Sequence, residues 1–290
     1  MTGSKKADKI FKGMKRLLLF LGVFIVSFSG IMIRLSSANP SSIAFYRCLI
    51  ASLCYALALR GSFKRFDLKK ELLLLVAGAF LSMHFFFWIS SFEHTTVAGA
   101  VIPLMLQPFL TSIISFLLYR ERVSPTQILA TLIVLSGITL MMFWDAKASI
   151  RLSFGDLLSL IGTVFLCGFI LTGKYLIPKI GTLNFNLRSY VIASLILFLA
   201  SYERSMQVFP LREWLIFSGL GVGCSFLGYT LINNSLKFFG AGTIAMALVG
   251  EPVLSILWSW VLLGEKATFP QFFGLLTSIV GMIIFFRAKL

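Results

Sequence analysis

Apolar residues run through this chain in blocks too long for the helices of a water-soluble domain. Ten stretches of about 20 predominantly apolar residues, the length that carries a helix across a hydrocarbon core, occupy 17–37, 40–60, 71–91, 97–119, 124–144, 155–177, 183–202, 212–236, 241–263 and 268–286. They lack the strict alternation of barrel strands. The joints between them are short, so the pattern predicts ten membrane-spanning helices and no separate soluble domain between them.

The pattern also repeats. Residues 97–142 reappear without a gap at 241–286, and the match includes polar and special residues. Pro108 falls on Pro252, Gln107 on Glu251, Glu121 on Glu265, Gln127 on Gln271 and Gly137 on Gly281. The repeating unit is half the chain, which makes this a duplication and not a solenoid. Earlier helices match at slightly different offsets: Ile50-Ala51-Ser52-Leu53 falls on Ile192-Ala193-Ser194-Leu195, Gly22 on Gly162 and Arg34 on Lys174. Five spans in residues 1–144 and five in 145–290 send the second copy into the membrane from the opposite side. The expected fold is an all-α polytopic membrane protein of two inverted five-helix repeats, related by a pseudo-two-fold axis in the membrane plane. Before the last span of each half, Ser124-Pro125-Thr126-Gln127 and Thr268-Phe269-Pro270-Gln271 predict capping boxes.

Composition agrees with the pattern. The chain is 58% hydrophobic and 13% charged, against about 45–50% and about 25% in soluble proteins. Its net charge of +15 could suggest nucleic acid, but the basic residues gather in alternate joints. Lys5 to Arg16 precede the first span, Arg60, Lys64, Arg65, Lys69 and Lys70 follow the second, and Arg120 and Arg122 follow the fourth. Lys179, Lys237, Arg287 and Lys289 continue the series, whereas the other side holds Lys147, Arg151, Arg204, Arg212 and Lys266. The positive-inside rule then puts both termini in the cytoplasm, and no nucleic-acid partner is expected. Residues 1–16 read as a basic amphipathic segment at the interface, followed by a retained first span. Cys48, Cys54, Cys167 and Cys224 fall inside spans without metal-ligand spacing and read as small packing residues.

The segments Leu104-Met105-Leu106-Gln107-Pro108 through Tyr119-Arg120-Glu121-Arg122, then Gln127 and Gly137, resemble the recurrent segment of the drug/metabolite transporter superfamily, EamA-type. Leu248-Val249-Gly250-Glu251-Pro252 through Gly264-Glu265-Lys266, then Gln271, Gly274 and Gly281, match it more closely. The resemblance implies export or exchange of small metabolites such as amino acids, through a cavity lined by the first, third, fourth, sixth, eighth and ninth spans. Departures are Gln107, where the second copy has an acid, and Ala130, where it has Gly274.

Ionisable and polar groups within spans are costly and point to function by default. Glu251 stands midway along the ninth span before Pro252, whose ring removes one backbone hydrogen bond. Two roles are open to it: binding a substrate amine or a proton in a wet cavity, or bracing the broken helix. Gln107 and Pro108 hold the equivalent places in the fourth span, and both prolines read as kink or gating positions. Arg34 and Lys174, late in the first and sixth spans, either attract a substrate anion or snorkel to opposite interfaces. Arg47 and Arg188 share that ambiguity and stay outside the expected core site. His84 and Trp88 lie one turn apart, as do Tyr229 and Asn233. Their rings could stack a substrate while His84 and Asn233 orient it; the alternative is interhelical bonding, with Trp88 in an interfacial aromatic belt. Ser29 completes the expected substrate-binding set. Gly219 and Gly223 have GxxxG spacing and predict close helix approach, and the fifth and tenth spans, poor in polar groups, read as scaffold or dimer contacts.

No Walker loop, dinucleotide fingerprint, HExxH or nucleophile elbow occurs. The expectation is therefore a secondary transporter of a bacterial or archaeal cytoplasmic (inner) membrane. Its partners would be the lipid bilayer, a small-molecule substrate and a second copy of the chain in a homodimer; it would need no cofactor or metal and have no catalytic residues. The rivals are a channel and a membrane-embedded enzyme.

Overall fold

The computed structural model describes residues 2–61, 66–121, 124–143, 153–266 and 268–288, with side chains from residue 13 onward apart from 142–143 and 204–205. Among the described residues there is no strand. Nine helices are long and apolar enough to cross a membrane: Gly13–Leu35, Pro40–Leu59, Leu68–Ser91, Val97–Tyr119, Phe154–Ile180, Thr182–Ala200, Leu211–Ser235, Ala241–Leu262 and Phe269–Arg287. A further helix, Pro125–Phe143, lies between the fourth and fifth of these and has a shorter apolar stretch, Pro125–Met141. Counted in chain order, these are the first to tenth spans, where the hydrophobic pattern puts them. The expected boundary between residues 144 and 145 lies outside the described residues, as do Lys64, Arg65, Arg122, Lys147, Arg151 and Lys289. The helix of the first span begins at Thr2, so the basic segment continues it without a break.

Local chemistry sets the helix ends. Both expected capping boxes form. Gln127 N donates to Ser124 Oγ at 3.2 Å and Ser124 N to Gln127 Oε1 at 3.0 Å. The Thr268–Gln271 pair repeats these two bonds at 3.4 and 3.2 Å. Each box satisfies amides that the first helical turn leaves unpaired. Asn39 caps the second span by accepting from Ser42 N at 3.0 Å, with Pro40 at the first helical position.

Packing follows the pseudo-two-fold axis. The second span lies against the seventh, the fourth against the ninth and the fifth against the tenth. The third packs on the sixth and seventh, and its counterpart the eighth packs on the first and second. The core is thus two equivalent bundles: the first, second, eighth and ninth spans, and the sixth, seventh, third and fourth. The fifth and tenth close on each other through small residues. A Cβ on Gly137 would lie 2.6 Å from the Gly274 carbonyl oxygen, and one on Gly281 2.8 Å from that of Ala130. This is the close approach that small residues permit between helices in lipid. The GxxxG expectation holds at one of its two glycines: a Cβ on Gly219 would lie 3.0 Å from Met32, one on Gly223 would meet nothing within 4 Å, and the tighter approach is at Gly221, where it would meet Ile50 at 2.7 Å.

Four spans are irregular. The eighth opens into a π-helix over Gly219–Gly228, where four glycines remove the side chains that would hold an α-helix in register. The first breaks at Ser27 and Phe28, where the Ser27 hydroxyl donates back to the Phe24 carbonyl at 2.7 Å, a local bond that competes with the helix ladder. The ninth breaks at Val249, just before Glu251-Pro252. The fourth tightens to a 3₁₀ turn over Ile102–Leu106, just before Gln107-Pro108. It carries Pro103 as well as Pro108, and two missing amide donors give a longer irregular stretch than one.

Candidate functional site

The second span starts at a capped proline, and two turns further in Arg47, Ala51 and Tyr55 share one face. All three are fully buried. Arg47 Nε donates to Ser225 Oγ at 2.7 Å and Nη1 to Ser29 Oγ at 3.3 Å. The guanidinium lies 4.1 Å from the centre of the Phe85 ring and 6.0 Å from that of Trp88, a cation–π arrangement. In the sequence Arg47 stands between an anion-attracting and a snorkelling role, outside the expected core site. The cap at Asn39 was the missed signal: it fixes the helix start and leaves the arginine about 10 Å inside it at 1.5 Å per residue.

Glu251, also buried, sits in the first turn of the helix that restarts at Gly250, where the backbone dipole favours an anion. Arg47 is the cation that acts on it, and among the described residues neither group belongs to an ion pair. The ninth span is pinned to the break in the first: Ser255 Oγ donates to the Ser27 carbonyl at 2.7 Å, and Trp258 Nε1 to Ser27 Oγ at 3.0 Å. Ser29, Arg47 and Glu251 thus surround one interruption in the first span. Tyr229 is buried within electrostatic reach of both charges.

Asn233, one turn beyond Tyr229, lies in a buried network. Its Nδ2 donates to Asn186 Oδ1 at 2.8 Å, Asn186 Nδ2 donates to the Tyr55 hydroxyl at 2.9 Å, and that hydroxyl donates to the Ser225 carbonyl at 2.8 Å. The second and seventh spans, absent from the expected lining, therefore contribute Arg47, Tyr55 and Asn186. Asn233 Oδ1 and the Tyr190 hydroxyl have no hydrogen-bond partner here.

Other expected residues have separate engagements. His84 Nδ1 donates to the Gly162 carbonyl at 2.9 Å, the third–sixth crossing, and its ring stacks on Trp88 at 5.6 Å. Trp88 is buried, with Nε1 donating to the Ala100 carbonyl at 3.0 Å; it does not belong to an exposed aromatic belt. Gln107 is buried and its Nε2 has no partner. Arg34 and Lys174 do not join the centre. Arg34 Nη1 donates to the Phe92 carbonyl at 2.8 Å, and Lys174 Nζ donates to the Leu236 and Phe239 carbonyls at 3.4 and 2.8 Å. A flank groove of 560 Å³ between the third, fourth and sixth spans, lined by Phe80, Tyr119, Phe165 and Tyr175 among others, includes none of the expected site residues.

The two ends of the protein mirror each other. Glu121, after the fourth span, accepts from Ala241 N at the start of the ninth at 3.2 Å. Glu265, after the ninth, accepts from Val97 N at the start of the fourth at 3.3 Å. Each carboxylate sits on a helix N-terminus, where orphan amides and the dipole favour it. Among the described residues, only the Glu121 end adds an ion pair, to Lys174 at 3.4 Å. Pro108 and Pro252 lie midway between these contacts, beside the breaks in their spans.

Comparison with known proteins follows the same two-fold division. The sequence pattern of the EamA-like transporter family matches twice, over residues 14–143 and 153–287. Among curated proteins, the uncharacterized transporter YdfC of Bacillus subtilis (strain 168) is 25% identical over 274 residues, covering 91% of this chain and 87% of that protein. An uncharacterized transporter of Archaeoglobus fulgidus is 24% identical over 269 residues, covering 91% of this chain and 95% of its own length. A solved crystal structure of 17% identity superposes with a TM-score of 0.75 over 94% of this chain and 96% of its own, a likeness of fold alone.

Proposed function

Because the chain belongs to the EamA-like transporter family, we propose that it is a secondary carrier moving a small organic metabolite, such as an amino acid, by alternating access. It would act as an exporter or exchanger in a bacterial or archaeal cytoplasmic membrane, with both termini and the Glu121 end in the cytoplasm. In support of that orientation, Lys15, Arg60, Lys69, Lys70, Arg120, Lys174, Lys179, Lys237 and Arg287 all belong to span ends on the Glu121 side, as the positive-inside rule requires.

The observation that carries the reading is a buried polar centre between two repeat-related closures. Ser29 bonds Arg47 at mid-depth, and Phe85 and Trp88 face its guanidinium with His84 stacked on Trp88. Tyr229 and Glu251 are buried within reach of its charge, and Glu121 and Glu265 fasten opposite ends of the fourth and ninth spans. A channel needs a continuous path, whereas two closures that can open in turn suit a carrier. In this reading Gln107 and Asn233 line the cavity less directly, Arg34 and Lys174 belong to the closures, and Pro108 and Pro252 mark where the spans bend. The chemistry is translocation and not catalysis.

The test is counter-flow. Protein in vesicles preloaded with single members of a metabolite panel should give saturable, trans-stimulated uptake of one class. Flux that does not saturate and shows no trans-stimulation would identify a channel, and chemical conversion of the solute would identify an enzyme.

A further inference from the structure

We infer that Arg47 is the anion receptor of this carrier: the central site recognises its solute through a carboxylate that docks on the Arg47 guanidinium. The inference rests on the carrier reading above. Among the described residues, the partners of this fully buried cation are two hydroxyls and two aromatic rings, none of them an anion. The hydroxyls come from the first and eighth spans, so they fix the guanidinium without neutralising it. A guanidinium offers five donors in a planar fork that fits a carboxylate through two bonds, and the two hydroxyls engage only part of that set.

Buried charges are normally paired, and the acid within reach of the Arg47 charge is Glu251 on the ninth span, which forms no ion pair with it among the described residues. That arrangement suits binding and release. A direct Arg–Glu fork would have to be broken in every cycle, whereas two groups that form no ion pair leave the guanidinium available. Phe85 and Trp88 flank it with aromatic faces that can cover the apolar body of a small organic acid.

Charge balance sharpens the solute class. An ionised Glu251 would make its pair with Arg47 neutral, and a site this far from water disfavours a net charge. The carboxylate therefore arrives with its own ammonium, which Glu251 receives, or with a proton that Glu251 receives. The titratable groups facing Glu251 are Arg47 from the second span and Cys224 and Tyr229 from the eighth; the first span turns Val23 toward Gly250 beside it.

The experiment uses full-length protein in proteoliposomes and a panel of carboxylates, zwitterions, amines and neutral solutes, each acid paired with its methyl ester or amide. The solutes moved by the wild type should carry a carboxylate, and their esters and amides should neither be transported nor compete. Zwitterions should move without a pH gradient, and simple carboxylates with one; either result supports the inference. Arg47→Gln should lower carboxylate flux by at least about tenfold, with part restored by Arg47→Lys, as expected for losing a charge-assisted fork. Flux of amines or neutral solutes that esters of acids inhibit as well as the acids do, or full carboxylate flux in Arg47→Gln, would overturn it while leaving a carrier. Absence of mediated flux for every solute would defeat the carrier reading itself. The ester and amide competition is read on wild-type protein, so it decides the matter even if Arg47→Gln fails to fold.

Discussion

The two bundles share one backbone plan and differ in where their polarity lies. In the bundle of the first, second, eighth and ninth spans, Ser29, Arg47, Tyr229 and Glu251 occupy the centre. At the offset that matches Ile50 to Ile192, Arg47 falls on Ser189; at the offset of the later spans, Glu251 falls on Gln107, Tyr229 on Phe85 and Asn233 on Ile89. The other bundle thus has no charge at either place, and Ser189 Oγ and Gln107 Nε2 both stand without hydrogen-bond partners. Its backbone is the more regular, with an unbroken sixth span where the first is interrupted and an α-helical third where the eighth opens into a π-helix. Central charge and three of the four irregular spans occur together in one bundle. Unwound turns free backbone groups that can solvate buried charge, which gives the coincidence a physical basis. Duplication supplied two equivalent scaffolds, and only one carries Arg47 and Glu251 at its centre.

The largest effect expected from probing this asymmetry is on transport. Glu251→Gln should depress counter-flow by about 10- to 100-fold, the equivalent of 1.5–3 kcal/mol for an interaction with a charged group. Gln107→Ala should change it little. Equal losses in both variants would mean that the bundles contribute alike. Circular dichroism and a monodisperse elution peak should remain as in the wild type for each.

A smaller, directional effect is expected at the two ends. Glu121→Gln weakens the closure on the ninth span and Glu265→Gln that on the fourth. A charge at a helix N-terminus contributes about 0.3–1 kcal/mol, so each variant should shift the accessibility of an introduced cavity cysteine by about two- to fivefold. The shifts should be opposite: toward the cytoplasmic reagent for Glu121→Gln and toward the external one for Glu265→Gln. Shifts in the same direction would remove the alternating role from these carboxylates.

The prolines give a weaker version of that test. Pro108→Ala and Pro252→Ala should also bias labelling in opposite directions, with Pro252→Ala the larger effect because Pro103 keeps the fourth span irregular when Pro108 is lost. Similar labelling in both variants would make the prolines static features of the bundle. In the packing between bundle helices, Gly221→Ala should lower thermal stability by about 1–3 kcal/mol, the usual cost of forcing atoms into a filled space. Gly223→Ala, pointing at open space, should cost nothing measurable. A thermal melt of the two variants checks both.

The fold was largely legible in the sequence because its signals are long or repeated. Apolar blocks of span length, paired capping boxes and the match of 97–142 with 241–286 each report on many residues at once. The site was less legible because its assembly is set by which face of each helix turns inward, and that depends on partners far along the chain. Glu251 was recognisable beside its proline. Arg47 was not, since an arginine seven residues from a helix start can snorkel or turn inward, and the choice is made by Ser29, Phe85 and Ser225 on other spans. Arg34 and Lys174 were correctly paired as repeat-related cations, but their carbonyl partners Phe92 and Leu236, themselves equivalent in the repeat, draw them to the ends. The π-helix had no signal beyond its glycines, which are equally compatible with close packing.

The central claim is that the working charge belongs to one bundle, because only that bundle provides Arg47 to balance it. Moving the carboxylate across the axis tests this most directly: a double variant, Gln107→Glu with Glu251→Gln, keeps the number of acids and places the charge in the repeat-equivalent position. Measured by counter-flow beside the wild type and Glu251→Gln, the swapped protein should be no better than Glu251→Gln alone, since its new carboxylate faces the bundle where Ser189 stands in place of an arginine. Counter-flow restored to the wild-type rate would contradict the account, because the two halves would then be functionally interchangeable.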